Sequence, residues 1–348
     1  MKTAMIYPND KREQAIHNYS KDLIKETKVP GLTFTRGKPF SFPFFSSLKY
    51  KQIHIQHEYN ILGWYGTPFL LLLLLYKPFF KKLVLTMHTV ISPDNENIGY
   101  VRAIFYFIAN LIIRMTTNKI IVHSQAFKEI LIIDYGFKEK NITVIRHGVK
   151  EVPKFDKDEI RKKLGINKNE KVCLLIGTFH RDHQPHVIIN QADKIKNKIL
   201  VVWNSSKGNK AIQYYNESMY YAYMNDLQDY LHTIDLTNED KDKGMWWEFF
   251  YAADLVTLPY IDGIGSGIFQ DAIATRTPVV CSSTYYFREM LSDNICGIIA
   301  TSDHDFPRAI KEAMSNIDKL KQGCEEYANK YSVKNMANKT LEVYNGKN

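Results

Sequence analysis

The sequence predicts an α/β protein built of two doubly wound domains. Short apolar runs of the kind that form buried parallel strands alternate with amphipathic stretches through both halves of the chain. The 348 residues are about twice the length of one ordinary domain. A charged segment at 150–157, which contains Pro153 and has no apolar periodicity, separates the two halves. We therefore expect one domain at residues 1–150 and a second at residues 151–348.

The apolar runs give the order of strands in each domain. In the first domain we expect strands at residues 3–7, 52–56, 83–87, 120–123 and 143–146. In the second domain we expect strands at residues 172–177, 199–204, 232–236, 255–258, 279–281 and 297–300. Helices are expected between them, notably at residues 14–26, 126–135, 268–274 and 306–316. Strands that alternate with helices in this way are typical of doubly wound parallel sheets.

Two apolar stretches of the first domain, residues 68–75 and 103–113, allow two interpretations. Each is shorter than the roughly 20 residues that a membrane-spanning helix needs. The first interpretation is that both are core helices of an α/β domain. The second is that one face lies on an anionic bilayer, aided by Lys77, Lys81 and Lys82.

The charge of the chain is concentrated in its first half. The whole chain has 46 Lys+Arg and 37 Asp+Glu, a formal net charge of +9. Residues 1–150 hold 21 basic and 10 acidic residues, whereas residues 151–348 hold 25 and 27. This asymmetry predicts an anionic partner for the first domain, either a membrane surface or nucleic acid. The basic half has no recognisable RNA- or DNA-binding motif, so we expect no nucleic acid.

The composition excludes several classes of protein. A hydrophobic content of 45% with 24% charged residues is ordinary for a globular chain, which excludes disordered and collagen-like classes. The four cysteines lie far apart, without a C-x-x-C pattern or a Cys/His cluster, so we expect neither a disulfide scaffold nor a structural zinc site. The first residues do not form a signal-peptide pattern. We expect a cytoplasmic protein, or a peripheral one at the inner membrane face.

Polar residues follow two of the predicted strands in the first domain. His57 and Glu58 follow residues 52–56, and His88 follows residues 83–87. In open α/β sheets, ligands bind beyond the carboxyl ends of the strands, so these residues are candidates to contact a ligand. The imidazole of His88 can hydrogen-bond a hydroxyl or an anionic oxygen. The alternative, that the three are structural or loop residues, stays open at this point.

The second domain offers a glycine and basic groups directly after its first predicted strand. Gly177 is followed by Arg181 and His183, ahead of a helix. A loop of this kind, between a strand and a helix, can face a phosphate group. Arg181 has the geometry to pair with a phosphate. A solvated loop without a ligand is the alternative.

The strongest candidate segment is at residues 258–274, where Gly263, Gly265 and Gly267 precede an apolar-periodic helix. The backbone N–H groups of Ser266, Gly267 and Ile268 would point outward at the helix N-terminus, where the helix dipole favours negative charge. Asp271 is one turn further on, where it can reach a ribose hydroxyl. The alternative is a plain turn and helix cap.

Five segments in this order resemble the retaining nucleotide-sugar glycosyltransferases of the GT-B fold, most closely glycosyltransferase family four. They are HIQHEYNILGWYG (54–66), TMHTV (86–90), the stretch 120–149, GSGIFQDAIATRTPVV (265–280) and YANKYSVKNMANKTLEVY (327–344). The resemblance covers nearly the whole chain. It implies two Rossmann-like domains facing a cleft, with the donor mainly on the second domain and the acceptor mainly on the first. It also implies a last helix, at about 327–344, that packs back toward the first domain.

The resemblance assigns roles to individual residues. His88 matches the family histidine near the donor sugar and the reacting centre. Ser266 and Gly267 match the backbone that holds the diphosphate, with Gly265 and Ile268 beside them. Asp271 matches the second acid of the E-x7-E motif, which binds the ribose.

Some positions depart from the family pattern. The first acid of the E-x7-E motif would fall at Gly263, and only the adjacent Asp262 is acidic. The family's phosphate-binding Arg and Lys would fall at Thr178 and His183, with Arg181 as a nearby substitute. Asp262 joins His57 and Glu58 as a candidate contact of the donor sugar or the acceptor. The segment after 232–236 is expected to face the base.

The resemblance implies a retaining, metal-independent hexosyltransferase without a cofactor. Its donor is expected to be a UDP- or GDP-linked sugar, and its acceptor the hydroxyl of a glycan or of a lipid-linked glycan. His88 and Asp271 are the expected catalytic residues. Two alternatives remain open: a sugar-nucleotide epimerase of the same fold, and a non-catalytic protein that binds a nucleotide or a glycan.

Overall fold

A computed structural model of the chain describes residues 2–9, 14–59, 67–93, 99–204, 208–236, 244–261, 265–292 and 295–346. It contains two six-stranded sheets in which all paired strands are parallel, and this confirms the predicted α/β fold class. The chain divides into two compact units. The N-terminal unit consists of Met1–Gly148 with Tyr331–Asn348, and the C-terminal unit is Val149–Lys330.

The sheet of the N-terminal unit has the strand order β2-β1-β3-β4-β5-β6. Its strands are β1 (Thr3–Pro8), β2 (Gly31–Phe34), β3 (Gln52–His57), β4 (Lys82–Met87), β5 (Lys119–Val122) and β6 (Ile142–Val144). The sequence analysis missed β2. This strand begins with a glycine, lies at the edge of the sheet and is partly exposed, so it lacks a continuous apolar run.

Among the described residues up to Gly148, five helices connect or flank these strands. They are α1 (Gln14–Thr27), α2 (Phe44–Ser47), α3 (Thr67–Tyr76), α4 (Tyr100–Thr116) and α5 (Gln125–Ile133). Ile6 of β1 belongs to a core with α3, α4 and α5, whereas its neighbour Met5 packs with α1. Because successive side chains of a strand point to opposite faces, the helices cover both faces of the sheet.

The sheet of the C-terminal unit has the order β12-β11-β10-β7-β8-β9. Its strands are β7 (Val172–Ile176), β8 (Lys198–Trp203), β9 (Leu231–Asp235), β10 (Leu255–Leu258), β11 (Val279–Ser282) and β12 (Gly297–Ala300). Followed from β9 to β12, this is the strand order of the dinucleotide-binding Rossmann fold. All five residues of β7 are buried, as expected for a central strand that is covered on both faces.

The helices of the C-terminal unit follow these strands in turn. They are α6 (Lys157–Lys163), α7 (Pro185–Ile189), α8 (Ala192–Ile195), α9 (Asn209–Met224), α10 (Met245–Ala252), α11 (Gly267–Ala274), α12 (Tyr285–Ser292), α13 (Phe306–Ser315) and α14 (Ile317–Lys330). The helix that was expected to start at residue 268 is α11.

Residues 327–344, which were expected to form one helix, lie in two. The first is α14, and the second is α15 (Val333–Asn345). Ser332 separates them because its hydroxyl accepts the Asn335 N–H at 3.3 Å and so caps the new helix. The chain re-enters the N-terminal unit at Tyr331, so α15 alone belongs to that unit.

Both apolar and polar contacts hold α15 to the sheet of the N-terminal unit. Its apolar side chains share a buried cluster with α1 and the strands. The Tyr344 hydroxyl lies 2.6 Å from Nδ1 of His54, a fully buried residue of β3. The Lys82 ammonium donates to the Tyr344 carbonyl at 3.1 Å. The helix is therefore fixed along its last turn as well as through its apolar face.

Candidate functional site

In the C-terminal unit the strand order reverses between β7 and β10, which pair directly. Ligands of open α/β sheets bind beyond the carboxyl ends of the strands at such a reversal. The segments that follow the two strands line a small pocket, with Gly177, Thr178 and His183 after β7 and Tyr260 after β10. The pocket brings together two of the predicted phosphate-facing residues, Gly177 and His183.

Gly177 is the residue at which the chain leaves β7. Its φ of +134° is a conformation that favours glycine, and a Cβ there would lie 2.7 Å from Cδ1 of Ile268. Its N–H donates to the Val202 carbonyl at 3.0 Å. The structure therefore brings the predicted loop after β7 against the first turn of α11, two segments that lie about 90 residues apart in sequence.

His183 and Arg181 lie on one short turn, in different surroundings. The His183 ring stacks on Tyr260 with 4.4 Å between centroids, and its Nδ1–H donates to the Thr178 carbonyl at 3.0 Å. Burial lowers the pKa of His183, so its ring is neutral near pH 7 and Nε2 is an acceptor. Arg181 is exposed and keeps its charge. Of the two, Arg181 is the group able to pair with a phosphate.

Among the described residues, which exclude 262–264, the N-terminus of α11 is open. Ser266 is buried, and its hydroxyl accepts the Phe269 N–H at 3.1 Å. The N–H groups of Gly267 and Ile268 are first-turn donors that the helix itself cannot satisfy. A Cβ at Gly265 or Gly267 would meet nothing within 4 Å. The open donors, the free space beside them and the helix dipole together suit an anion.

Asp271 lies one turn into α11, and other side chains already hold its carboxylate. Its Oδ2 accepts the Trp246 Nε1–H at 2.9 Å, and its Oδ1 lies 3.3 Å from the Lys150 ammonium. Lys150 also lies over the Trp247 ring, 4.6 Å from its centroid. The sequence analysis predicted neither Lys150 nor Trp246, because both are remote from α11 in sequence. Asp271 is thus a fixed, partly exposed carboxylate.

Three of the sequence predictions lie outside the described residues. Asp262, the candidate contact of the donor sugar or the acceptor, is one of them, as is its neighbour Gly263. The third is the segment after β9 that was expected to face the base, since residues 237–243 are not described.

In the N-terminal unit, three neighbouring strands each carry a histidine just beyond their carboxyl ends. His88 follows β4, His123 follows β5 and His147 follows β6. One ring nitrogen of each lies within 4.8 Å of those of the other two, and the Tyr19 ring packs edge-on against all three. Of these three residues, only His88 was named from the sequence, because the strand order alone makes them neighbours.

Both ring nitrogens of His88 contact other side chains of the N-terminal unit. Its Nε2–H donates to Oε1 of Gln56 at 2.9 Å, and its Nδ1 lies 3.3 Å from Nε2 of His123. Burial, followed by the neighbouring His123, holds the pKa of His88 well below its ordinary value. Burial lowers the pKa of His123 to about 4. Both rings are therefore neutral near pH 7.

His57 and Glu58 occupy different environments at the end of β3. The His57 side chain is 1% exposed and stacks on Phe69 with 4.5 Å between centroids. Neither of its ring nitrogens has a hydrogen-bond partner among the described residues. Burial lowers its pKa to about 3. The structure thus places His57 in the core, away from solvent, whereas Glu58 is half-buried.

The helices α3 and α4 pack against each other, and both leave apolar side chains exposed. These include Leu71, Leu74 and Leu75 of α3, and Val101, Ile104, Phe105, Phe107 and Ile108 of α4. Lys77 donates to the Thr116 carbonyl at 3.0 Å, and Lys82 donates to Tyr344, so two of the three lysines expected on a bilayer bind helix C-termini instead. No helix among the described residues has the length and apolar character needed to cross a membrane.

Each half of the chain matches the model of a known protein family. Residues 156–331 match the family model described as glycosyl transferases group 1. Residues 4–151 match the model described as glycosyltransferase family 4. Among curated proteins, the chain is similar to the alpha-monoglucosyldiacylglycerol synthase of Streptococcus pneumoniae, with 24% identity over 235 residues. That match covers 62% of this chain and 49% of the relative, so it spans about half the relative's length.

Solved structures share the fold over nearly the whole chain. HepE of Anabaena, in complex with UDP and glucose, superposes with a TM-score of 0.73 at 15% identity and covers 99% of each chain. A glycosyltransferase from Rickettsia africae superposes with a TM-score of 0.72 at 14% identity, covering 98% of this chain and 97% of its own. At these identities the likeness establishes the fold.

Proposed function

The chain belongs to the glycosyl transferases group 1 family, and from that membership we propose that it transfers a hexosyl unit from a nucleoside-diphosphate sugar to an acceptor hydroxyl, with retention of configuration. One observation carries this proposal: the open N-terminus of α11 lies against Gly177 at the reversal of strand order. The complex of HepE with UDP and glucose supports UDP-glucose as the first donor to test, with GDP-linked sugars next.

The C-terminal unit would bind the diphosphate of this donor. When the bond between the sugar and the diphosphate breaks, negative charge grows on the phosphate oxygens. The N–H groups of Gly267 and Ile268 and the dipole of α11 are fixed positive groups that can stabilise this charge, and the Arg181 guanidinium can add to them. Because they supply the positive charge from the protein, we propose that no divalent ion is required at the diphosphate and that no cofactor takes part.

Asp271 would hold the ribose through its carboxylate oxygens. Its contacts with Trp246 and Lys150 fix the carboxylate before a nucleotide arrives, so little side-chain entropy is lost on binding. Lys150 also offsets the repulsion between this carboxylate and the nearby phosphates. This arrangement makes Asp271 a binding residue that orients the donor for transfer.

Retention would follow from attack on the face of the sugar that the diphosphate leaves. The acceptor oxygen bonds to the anomeric carbon as the carbon–phosphate-oxygen bond breaks, and the hydroxyl proton passes to the departing phosphate oxygen. No protein nucleophile is needed for this step. The family resemblance assigns His88 to the donor sugar, where its neutral ring, held by the contact of Nε2 with Gln56, would act as an orienting group.

The acceptor would be presented by a membrane surface. The exposed apolar rows of α3 and α4 can enter the lipid headgroup region, and the basic excess of the N-terminal half suits an anionic leaflet. The name of the Streptococcus pneumoniae relative, a synthase of a glucosylated diacylglycerol, supports a lipid or lipid-linked acceptor. We accordingly propose peripheral association with the bilayer.

The test is an assay of the purified full chain with UDP- and GDP-sugars, with and without vesicles that contain candidate lipid acceptors. Transfer that depends on the acceptor supports the proposal. Conversion of the nucleotide-sugar without an acceptor would instead identify an epimerase, and nucleotide binding without turnover across the acceptors would identify a binding protein. The variant His88→Ala is expected to lose transfer while it keeps donor affinity. Its wild-type turnover would remove His88 from the reaction.

A further inference from the structure

The three histidines at the ends of β4, β5 and β6 form a compact cluster inside the N-terminal unit. His123 is buried, whereas His88 and His147 are half-buried. Nδ1 of His88 and Nε2 of His123 lie 3.3 Å apart. One ring nitrogen from each of the three histidines lies within 4.8 Å of the other two. Tyr19 lies beside all three rings and forms one wall of the cluster.

The hydrogen bonds around the cluster decide which ring nitrogens carry protons. Nδ1 of His123 lies 2.9 Å from the carbonyl of Ile145, which can only accept, so this nitrogen carries the hydrogen. In a neutral ring its Nε2 then has a free lone pair, and this is the nitrogen that faces His88.

The neighbours of His88 fix the position of its proton as well. The Gln56 amide donates through its nitrogen toward the Met5 sulfur at 3.5 Å, which leaves its oxygen facing Nε2 of His88. Nε2 of His88 therefore carries the hydrogen, and Nδ1 has the lone pair. Two lone pairs consequently face each other across 3.3 Å, an arrangement that repels unless a positive ion lies between them.

This arrangement is the one that metal-binding histidines adopt. A ligating histidine typically donates its second ring N–H to a carbonyl or carboxylate oxygen, which fixes the ring and aims the other nitrogen at the metal. Here the Ile145 carbonyl and the Gln56 amide oxygen serve that purpose. The separation of 3.3 Å also suits two ligands of one tetrahedral zinc ion at bond lengths of about 2.0–2.1 Å.

We propose that His88, His123 and His147 bind one first-row divalent transition-metal ion, with zinc as the preferred metal. Three neutral imidazoles suit zinc, and a three-histidine site keeps a fourth position for water or another oxygen ligand. The ion would link the carboxyl ends of three adjacent strands. This site is distinct from that of the donor diphosphate, which would be bound by residues of the C-terminal unit.

Metal titration of the full chain, without an affinity tag and after treatment with a chelator, tests this proposal. Calorimetry with zinc alone is expected to show one tight site per chain. The variant His147→Ala is expected to weaken zinc binding by about 100-fold or more, and Gln56→Leu, which removes only the orienting contact, by about 10–100-fold. His232→Ala changes a half-buried histidine of the C-terminal unit and is expected to bind zinc as the wild type does.

Two further measurements make the result independent of folding and of turnover. Circular dichroism in the presence of chelator checks that each variant is folded, and cobalt bound to the wild type is expected to show the visible absorption bands of a tetrahedral site. Absence of a stoichiometric zinc site in the wild type would overturn the proposal. Equal zinc affinity in the wild type and in folded His147→Ala would also overturn it, since the bound ion would then lie elsewhere.

Discussion

Gly177 lies so close to Ile268 that a Cβ at residue 177 would come within 2.7 Å of the Ile268 Cδ1 atom. This proximity joins the loop after β7 to the first turn of α11. Each of these two segments alone is weak evidence for anion binding, but together they form one candidate anion site.

The substitution Gly177→Ala is expected to weaken nucleotide binding. The positive φ disfavours alanine by about 1–3 kcal/mol, and the new methyl group would push Ile268 and the first turn of α11 away from the loop. Calorimetry with UDP and urea unfolding measure the two effects. Gly165→Ala is the matched control, because Gly165 has a φ of +68° with nothing within 4 Å of a Cβ. The assignment fails if both variants retain wild-type nucleotide affinity.

The substitution Ser266→Ala is expected to lower both stability and nucleotide affinity. Loss of the cap destabilises α11 by about 1 kcal/mol. When the first turn frays, the backbone N–H groups of Gly267 and Ile268 no longer point in one direction. Ser332→Ala removes the equivalent cap of α15 and serves as the control. Unfolding curves should show similar losses for the two variants, with a fall in UDP affinity confined to Ser266→Ala. A fall of equal size in both would point to general destabilisation.

The substitution Asp271→Ala is expected to reduce UDP affinity by about 10- to 100-fold, the usual cost of losing a hydrogen bond to a charged group. Inorganic diphosphate lacks a ribose, so its affinity is expected to stay unchanged or to rise as a nearby negative charge is removed. Competition binding with the two ligands measures this difference. The variant Lys150→Met keeps the Asp271 carboxylate but removes its contact with the Lys150 ammonium, so it tests only how that contact positions the carboxylate. Equal losses for UDP and diphosphate would exclude a ribose contact.

Acidification is expected to destabilise the protein through His57. Burial lowers the pKa of His57 to about 3, whereas the unfolded chain protonates it near its ordinary value of 6.5. The stability due to the neutral ring is thus present above about pH 6.5 and is lost as the pH falls toward 3. The variant His57→Phe preserves stacking on Phe69. Between pH 7 and pH 5, its free energy of unfolding should fall by about 2 kcal/mol less than that of the wild type. Urea unfolding at the two pH values checks this, and identical losses would contradict it.

The double substitution Leu71→Glu with Leu75→Glu is expected to weaken binding to anionic vesicles by about tenfold or more, because each exposed leucine would lose its burial in lipid. Co-sedimentation with vesicles that contain an anionic lipid measures this. Ile133→Glu is the control, since Ile133 is exposed on α5 outside the two helices. Co-sedimentation that is unaffected by the double substitution would mean that α3 does not contact the bilayer.

Most of the fold was predictable because buried parallel strands are continuous apolar runs. Residues 255–258 and 297–300, for example, were predicted with the bounds that the structure gives them. The edge strand β2 was missed because its exposed positions interrupt the apolar pattern. The break at Ser332 was missed because a serine can also lie inside a continuous helix. Only the structure shows that the chain turns there and that Ser332 caps a new helix.

The candidate site was predictable only where its residues are adjacent in sequence. Ser266, Gly267 and Ile268 form a helix N-terminus that the glycine pattern indicates by itself. By contrast, the contact of Lys150 with Asp271 depends on where two distant segments lie in the folded unit. The histidine cluster required the strand order, because His88, His123 and His147 become neighbours only when β4, β5 and β6 are adjacent.

The placement of α15 has a consequence for how the protein is made. The hydrogen bond between His54 and Tyr344 joins residues 290 positions apart, and the whole C-terminal unit lies between them in the chain. During synthesis, the C-terminal unit therefore leaves the ribosome complete while the N-terminal unit still lacks the helix that covers Val84 and Ile121. The first unit to begin synthesis is the last to become complete, and its uncovered sheet face is the surface that a chaperone would shield in the interval.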